Sequence, residues 1–125
     1  MALVGIGIDL VDIDRFRRSL ERTPSMRTRL FTDIELAYVE PMADPVPSLA
    51  ARFAAREAVM KSLGLGLGAF GFHEVWVERA DSGEPSLVIT GAALDLANRA
   101  RVDRWHLSLT HSDTTAGAYV VAESF

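Results

Sequence analysis

The chain has 125 residues, 49% of them hydrophobic and 24% charged, which suits one domain with a real core and excludes a disordered composition. It contains no cysteine, which excludes disulfides, thiolate metal sites and a cysteine nucleophile and fits a reducing compartment. A formal net charge of −4 argues against general nucleic-acid binding.

No apolar run approaches the ~20 residues needed to span a bilayer. The N-terminal segment MALVGIGIDLVDID lacks the basic flank and small-residue cleavage site of a signal peptide. The expectation is therefore a soluble, cytoplasmic, single domain over residues 1–125. Charge is unevenly spread. Between Arg15 and Arg29 stand six arginines against one acid, a balance of +5, so the remainder carries −9. A basic patch on an acidic protein fits a docking surface for an acidic partner. It fits a solvated helix face about as well.

Residues 3–10 read as a strand, apolar and β-branched, with Gly5 and Gly7 on one face. Glycine inside a strand marks close approach by another backbone or by a ligand. Residues 13–22 read as a helix, with Asp12 as N-cap and Ile13, Phe16 and Leu20 as its apolar stripe. A short helix is expected over 32–39, where Thr32 and Glu35 have capping-box spacing. The proline-rich segment after Glu40 reads as a loop. Residues 48–63 give the strongest helical pattern, with a core stripe of Leu49, Phe53, Met60 and Leu63 ended by Gly64. A loop with four glycines from Gly64 to Gly71 follows. Residues 73–79 and 86–90 read as a hairpin around Gly83, 91–101 as a helix, and 105–111 and 116–123 as the last two strands. Helices mixed with hairpin-connected strands predict an α+β fold, a mostly antiparallel sheet packed with helices around one long central helix.

Several residues along this pattern can carry chemistry. Asp9 ends the first apolar run, where a carboxylate can hold a cation against a polyphosphate or simply cap a turn. Glu57 and Lys61 lie four residues apart on one helix face, beside the small Ala54, Ala55 and Ala58 that leave room for a bulky ligand. Spacing alone favours a helix-stabilising pair worth ~0.2–0.5 kcal/mol. The chemical alternative is a metal-binding carboxylate beside a phosphate-binding ammonium. Arg52 and Arg56 form a like-charged pair at the same spacing, which asks for a nearby anion. Asp9 with Glu57 makes an oxygen-only set suited to magnesium, and no histidine pair has zinc spacing. By strand parity His111 shares a face with Trp105, Leu107 and Leu109, which is expected to be buried; a lone histidine there is more often structural than functional. The glycine loop is neither a P-loop nor a dinucleotide fingerprint.

In this order and spacing, GIGIDLVDIDRF (5–16), ARFAAREAVMKSLGLGLG (51–68) and LSLTHSDTTAGAYVVAE (107–123) resemble the holo-acyl-carrier-protein synthase family, the small single-domain 4′-phosphopantetheinyl transferases. The resemblance implies the corresponding fold. It assigns Asp9 and Glu57 to Mg²⁺, Lys61 to the coenzyme A phosphates, and Arg52, Arg56, Gly64, Gly66 and His111 to the nucleotide site. It assigns Arg15, Arg18 and Arg22 to an acidic acyl carrier protein, of fatty-acid or polyketide synthesis, and it implies a homotrimer with active sites between subunits. One departure is Arg56, where the family usually has lysine; arginine stays protonated and cannot serve as a base.

The implied reaction is attack by a carrier serine on the β-phosphorus of coenzyme A with loss of 3′,5′-ADP. Asp9, Glu57 and Lys61 would be the catalytic set, with Glu57 or a water on the metal accepting the serine proton. Two alternatives remain open at this level: a non-catalytic module binding an acidic protein, and a magnesium-dependent hydrolase of nucleotide pyrophosphates.

Overall fold

The alanine-rich stretch in the middle of the chain forms the helix around which everything else is laid. The computed structural model describes residues 1–125. In chain order the elements are β1 (Ala2–Asp12), α1 (Ile13–Arg22), α2 (Met26–Leu30), α3 (Asp33–Val39), α4 (Val46–Ser62), a 3₁₀ turn (Phe72–Glu74), β2 (Val75–Arg79), β3 (Pro85–Ile89), α5 (Gly91–Arg99), β4 (Arg104–His111) and β5 (Thr115–Ser124). Strands β1, β5 and β4 form an antiparallel sheet with β5 in the centre, and β2 and β3 form a separate antiparallel hairpin. The fold is α+β, as the sequence pattern predicts. No helix is long and apolar enough to cross a membrane.

Helix α4 is buried on most of its circumference. Leu49, Ala50, Ala54, Ala55, Ala58 and Val59 are wholly inaccessible. The small side chains let neighbouring elements come close. One apolar cluster joins its first half to Ile13, Phe16 and Leu20 of α1 and to Phe31 and Val39. A second joins its last half to Val75, Val77, Ala118 and Val120 of the strands. Ala54, Ala55 and Ala58, which the sequence offered as room for a ligand, are covered by protein instead.

The two strand glycines explain the closest of these contacts. A Cβ added at Gly7 would stand 1.9 Å from the carbonyl oxygen of Ala58, and one at Gly5 would stand 1.9 Å from that of Ser62. So β1 lies with its backbone directly on the backbone of α4, and the approach is by protein rather than by a ligand. Only glycine fits there.

Local signals explain most boundaries. The Asp12 carboxylate accepts from Arg15 N at 2.8 Å and caps α1. Thr32 and Glu35 complete the capping box of α3. Helix α4 starts two residues earlier than the sequence pattern indicates, because Pro47 is tolerated in a first turn and Asp44 accepts from Val46 N at 3.2 Å. It ends in a Schellman turn: Gly64, at φ 72°, donates to Lys61 O at 3.0 Å, and Leu65 donates to Met60 O at 2.9 Å. Helix α2 has five residues, too few to leave a periodic signal in the sequence. His73 and Glu74 turn out of the predicted strand because the Glu74 carboxylate accepts from Gly71 N and from Ala92 and Ala93 N, capping α5 where Thr90 does not.

Gly7→Ala is expected to destabilise the protein by about 3 kcal/mol, the upper range for overpacking a rigid backbone contact. Gly66→Ala, with nothing within 4 Å of the added carbon, is expected to be near neutral. Urea unfolding of the two variants checks the contrast.

Candidate active site

The strand-to-helix contact delivers two carboxylates to one place. Asp9 follows Gly7 by two residues on the face of β1 turned to α4, and Glu57 precedes Ala58, which touches Gly7. Both line a cavity of about 390 Å³ together with Asp12, Arg15, Phe16 and Phe53. Lys61, one turn further along α4, donates from Nζ to Asp9 Oδ1 at 3.1 Å and to the Ile8 carbonyl at 2.9 Å. Its side chain is half exposed, so it can leave this contact for an incoming anion. Desolvation raises the pKa of Glu57, the charge of Asp9 raises it further, and Lys61 opposes both. The lysine thus relieves part of the repulsion between the two acids.

Arg15 lines this same cavity, at the edge of the basic helix. Arg15, Arg18 and Arg22 are exposed, as are Arg27 and Arg29. Arg17 differs. It is held by Asp44 in a two-pronged pair at 2.9 and 2.8 Å, which braces α1 against the start of α4. The patch therefore keeps five exposed arginines, of which Arg15 reaches the acidic cavity.

Arg52 and His111 lie elsewhere. They line a second cavity, of about 500 Å³, with Tyr38, Ser48, Arg79 and Thr110, and this cavity shares no lining residue with the first. Helix geometry requires the separation: five residues at 3.6 per turn put Arg52 and Glu57 about 140° apart around α4. Arg52 is 1% exposed, yet no carboxylate touches its guanidinium. It donates to the Ser48 carbonyl and hydroxyl, stacks 4.7 Å from the Tyr38 ring, and leaves its Nε without a partner. Desolvation lowers its pKa, and the charge of Glu35 partly offsets that. Arg52 is thus a buried cation in the wall of the cavity with no acid in contact. His111 is exposed at the rim. Parity with Trp105, Leu107 and Leu109 holds, but β4 is an edge strand and its last residue runs past the cover of α4.

Arg56 does not join either cavity. Its side chain and that of Glu35 are both 0% exposed and pair at 2.5 and 2.9 Å. The anion that the Arg52–Arg56 spacing called for is thus internal, and Arg56 has no free face for a phosphate. Gly64 serves the helix end described above, and Gly66 faces open space. Glu35 was legible only as a cap. Its pairing with Arg56 leaves no local pattern, because the two lie 21 residues apart. Tyr38 and Arg79 carried no sequence signal.

A family model for the 4′-phosphopantetheinyl transferase superfamily matches residues 5–122. The chain belongs to that superfamily. It is 49% identical to a holo-[acyl-carrier-protein] synthase of Streptomyces avermitilis, over 98% of this chain and 99% of the relative. A Micrococcus luteus protein of the same name is 46% identical over 97% of this chain and 92% of its own. Among solved structures, the holo-[acyl-carrier-protein] synthase of Neisseria meningitidis superimposes with a TM-score of 0.89 at 31% identity, covering 98% of this chain and 100% of that one. The Bacillus anthracis synthase, solved in complex with CoA (3′,5′-ADP), gives 0.82 at 31% identity, covering 98% of each chain.

For a phosphopantetheinyl transferase the donor set at Asp9 and Glu57 fits Mg²⁺. Of the three acids lining the cavity, Asp12 is engaged in capping α1, which leaves Asp9 and Glu57, and magnesium takes one or two carboxylates and completes its shell with water and substrate phosphates. The ammonium of Lys61 beside Asp9 shows that the site already favours a cation.

The raised pKa of Glu57 has a consequence for stability. The folded chain holds this proton more tightly than the unfolded one, so stability falls as pH rises from the ordinary carboxylate range through the raised value. In metal-free buffer Glu57→Gln is expected to melt at a higher temperature than the parent at neutral pH. The gap should close on acidification. Thermal melts across that range check it.

Proposed function

We propose that this phosphopantetheinyl transferase moves 4′-phosphopantetheine from coenzyme A to a serine of an apo-acyl carrier protein, with Mg²⁺, in the cytoplasm, as a homotrimer whose active sites lie between subunits. The observation that carries the reading is the meeting of Asp9 and Glu57, 48 positions apart in the sequence, in one cavity bordered by the basic helix.

Asp9 and Glu57 hold the ion, and Mg²⁺ supplies neutralising charge to the diphosphate. Lys61 leaves Asp9 to bind a phosphate oxygen, and its positive charge opposes the negative charge that builds there in the transition state. The carrier docks on Arg15, Arg18 and Arg22, which brings its serine to the rim next to Asp9. The serine oxygen forms its bond to the β-phosphorus, the bond to the 3′,5′-ADP oxygen breaks, and Glu57 accepts the serine proton. Arg56 is excluded as that base by its charge and its burial.

Two features support assembly. First, the outer face of the sheet exposes Ile6, Ile8 and Leu10 at 51–67%, in register with Val121, Tyr119 and Gly117 of β5. A patch of this kind marks an interaction surface. Second, the cavity of Arg52 and His111 shares no lining residue with the cavity of the carboxylates in the same chain. A neighbouring copy can bring its own Arg52 and His111 to them, so that one coenzyme A spans both halves.

The assay mixes the protein with coenzyme A, Mg²⁺ and apo carrier protein. Mass gain of the carrier by one phosphopantetheine, lost on chelation, is the expected result. Cleavage of coenzyme A without carrier would select the hydrolase, and binding alone the passive module. Asp9→Asn and Glu57→Gln should each lower turnover by about 10²-fold or more. Asp9→Asn and Arg52→Gln, each impaired alone, should regain activity when co-assembled, because some interfaces then carry both intact halves. No gain in the mixture would place the two halves in separate sites.

A further inference from the structure

We infer that Glu35, through Arg56, is a positioning residue that sets the rotation of α4 and so aims Glu57 at Asp9; the inference rests on the role proposed for Glu57. The pair is sealed from solvent, so it meets no substrate. Its bonds are many. Glu35 accepts from both terminal nitrogens of Arg56, from Val77 N at 3.2 Å and from Thr32 N at 3.0 Å. Arg56 in turn donates from Nε to Phe72 O at 2.8 Å and from Nη1 to Arg52 O at 3.2 Å. One ion pair thereby ties α3, the 3₁₀ turn and β2 to a single point on α4.

That point is next to Glu57 in sequence and one turn beyond Arg52. The other fixed points of α4 are Ala58 and Ser62, where the glycines of β1 press on it. The helix is thus held from two sides immediately around residue 57. The tolerance at such a site is small. A helix with side chains has a radius of about 5–6 Å, so a rotation of about 10° moves a side-chain end by about 1 Å. Catalytic groups need placement within about 0.5 Å. Apolar packing by alanines is smooth and fixes rotation poorly, whereas a bidentate ion pair with four further partners has one geometry. A buried ion pair contributes little net stability compared with apolar residues of the same size, so its presence here is better explained by orientation than by stability.

The decisive variant is the double substitution Glu35→Leu with Arg56→Met, which removes both charges and leaves none buried unpaired. It is expected to melt within a few degrees of the parent, yet to bind Mn²⁺ about threefold to tenfold more weakly in calorimetry without coenzyme A. Its kcat should fall at least tenfold while KM for the carrier holds, since the docking arginines are untouched. Glu35→Asp keeps the charges but withdraws the carboxylate by one methylene. It should show the same pattern to a smaller degree and serves if the double variant does not fold. Arg56→Lys, which keeps a charge for Glu35, should retain most of the activity. Parental Mn²⁺ affinity and kcat in the folded double variant, or in Glu35→Asp, would overturn the inference. Glu57→Gln, measured alongside, separates the two levels. If it too binds Mn²⁺ and turns over like the parent, the reading of the site has failed; if it is impaired and the Glu35 variants are not, only the positioning role has.

Discussion

The backbone of β1 rests directly on the backbone of α4. With an added Cβ at Gly5 or Gly7 standing only 1.9 Å from a helix carbonyl oxygen, no side chain can intervene. Everything chemical follows from that contact. Asp9 leaves the strand two residues beyond Gly7, and Glu57 leaves the helix one residue before Ala58, so the pressing of one backbone on the other fixes how far apart the two acids stand. Alanines on the remaining faces of α4 let β5 and β2 close in as well, and the carboxylates become partly desolvated. Burial raises the affinity of Glu57 for its proton, and the neighbouring Asp9 raises it further. A site that resents two negative charges is one that welcomes a divalent cation.

Around this centre the molecule sorts its arginines into three roles by environment. Arg15, Arg18 and Arg22 stay in solvent and give a field that an acidic partner can follow. Arg56 is enclosed with Glu35 and holds the frame. Arg52 is enclosed without an acid in contact, stacks on Tyr38, and keeps a donor free. A residue type that looks uniform in the sequence is thus divided by burial into exposed cations, a cation sealed against an acid, and a buried cation with no acid in contact. The last two lie one turn apart on the same helix, which shows how little spacing says about use.

The proposed assembly bears on an otherwise costly surface. Ile6, Ile8, Leu10 and Tyr119 face outward on a sheet whose other side is well packed. Covering them would remove apolar area from water, and in the proposed assembly another copy does so.

Much was legible from the sequence because the signals were local. The caps at Asp12 and Thr32, the stripe of Ile13, Phe16 and Leu20, the alternation in β4 and the glycine stop after α4 depend on neighbours within about one helical turn, and they gave the α+β fold with most of its boundaries. The family motif named Asp9, Glu57 and Lys61 as a group. What spacing could not supply was the environment of each. Whether glycine faced a ligand or a helix, and whether the anion demanded by Arg52 and Arg56 was foreign or Glu35, are questions of contacts between residues 21 to 57 positions apart. Close packing decided them, because the free energy of a charge depends on what surrounds it rather than on where it falls in the chain.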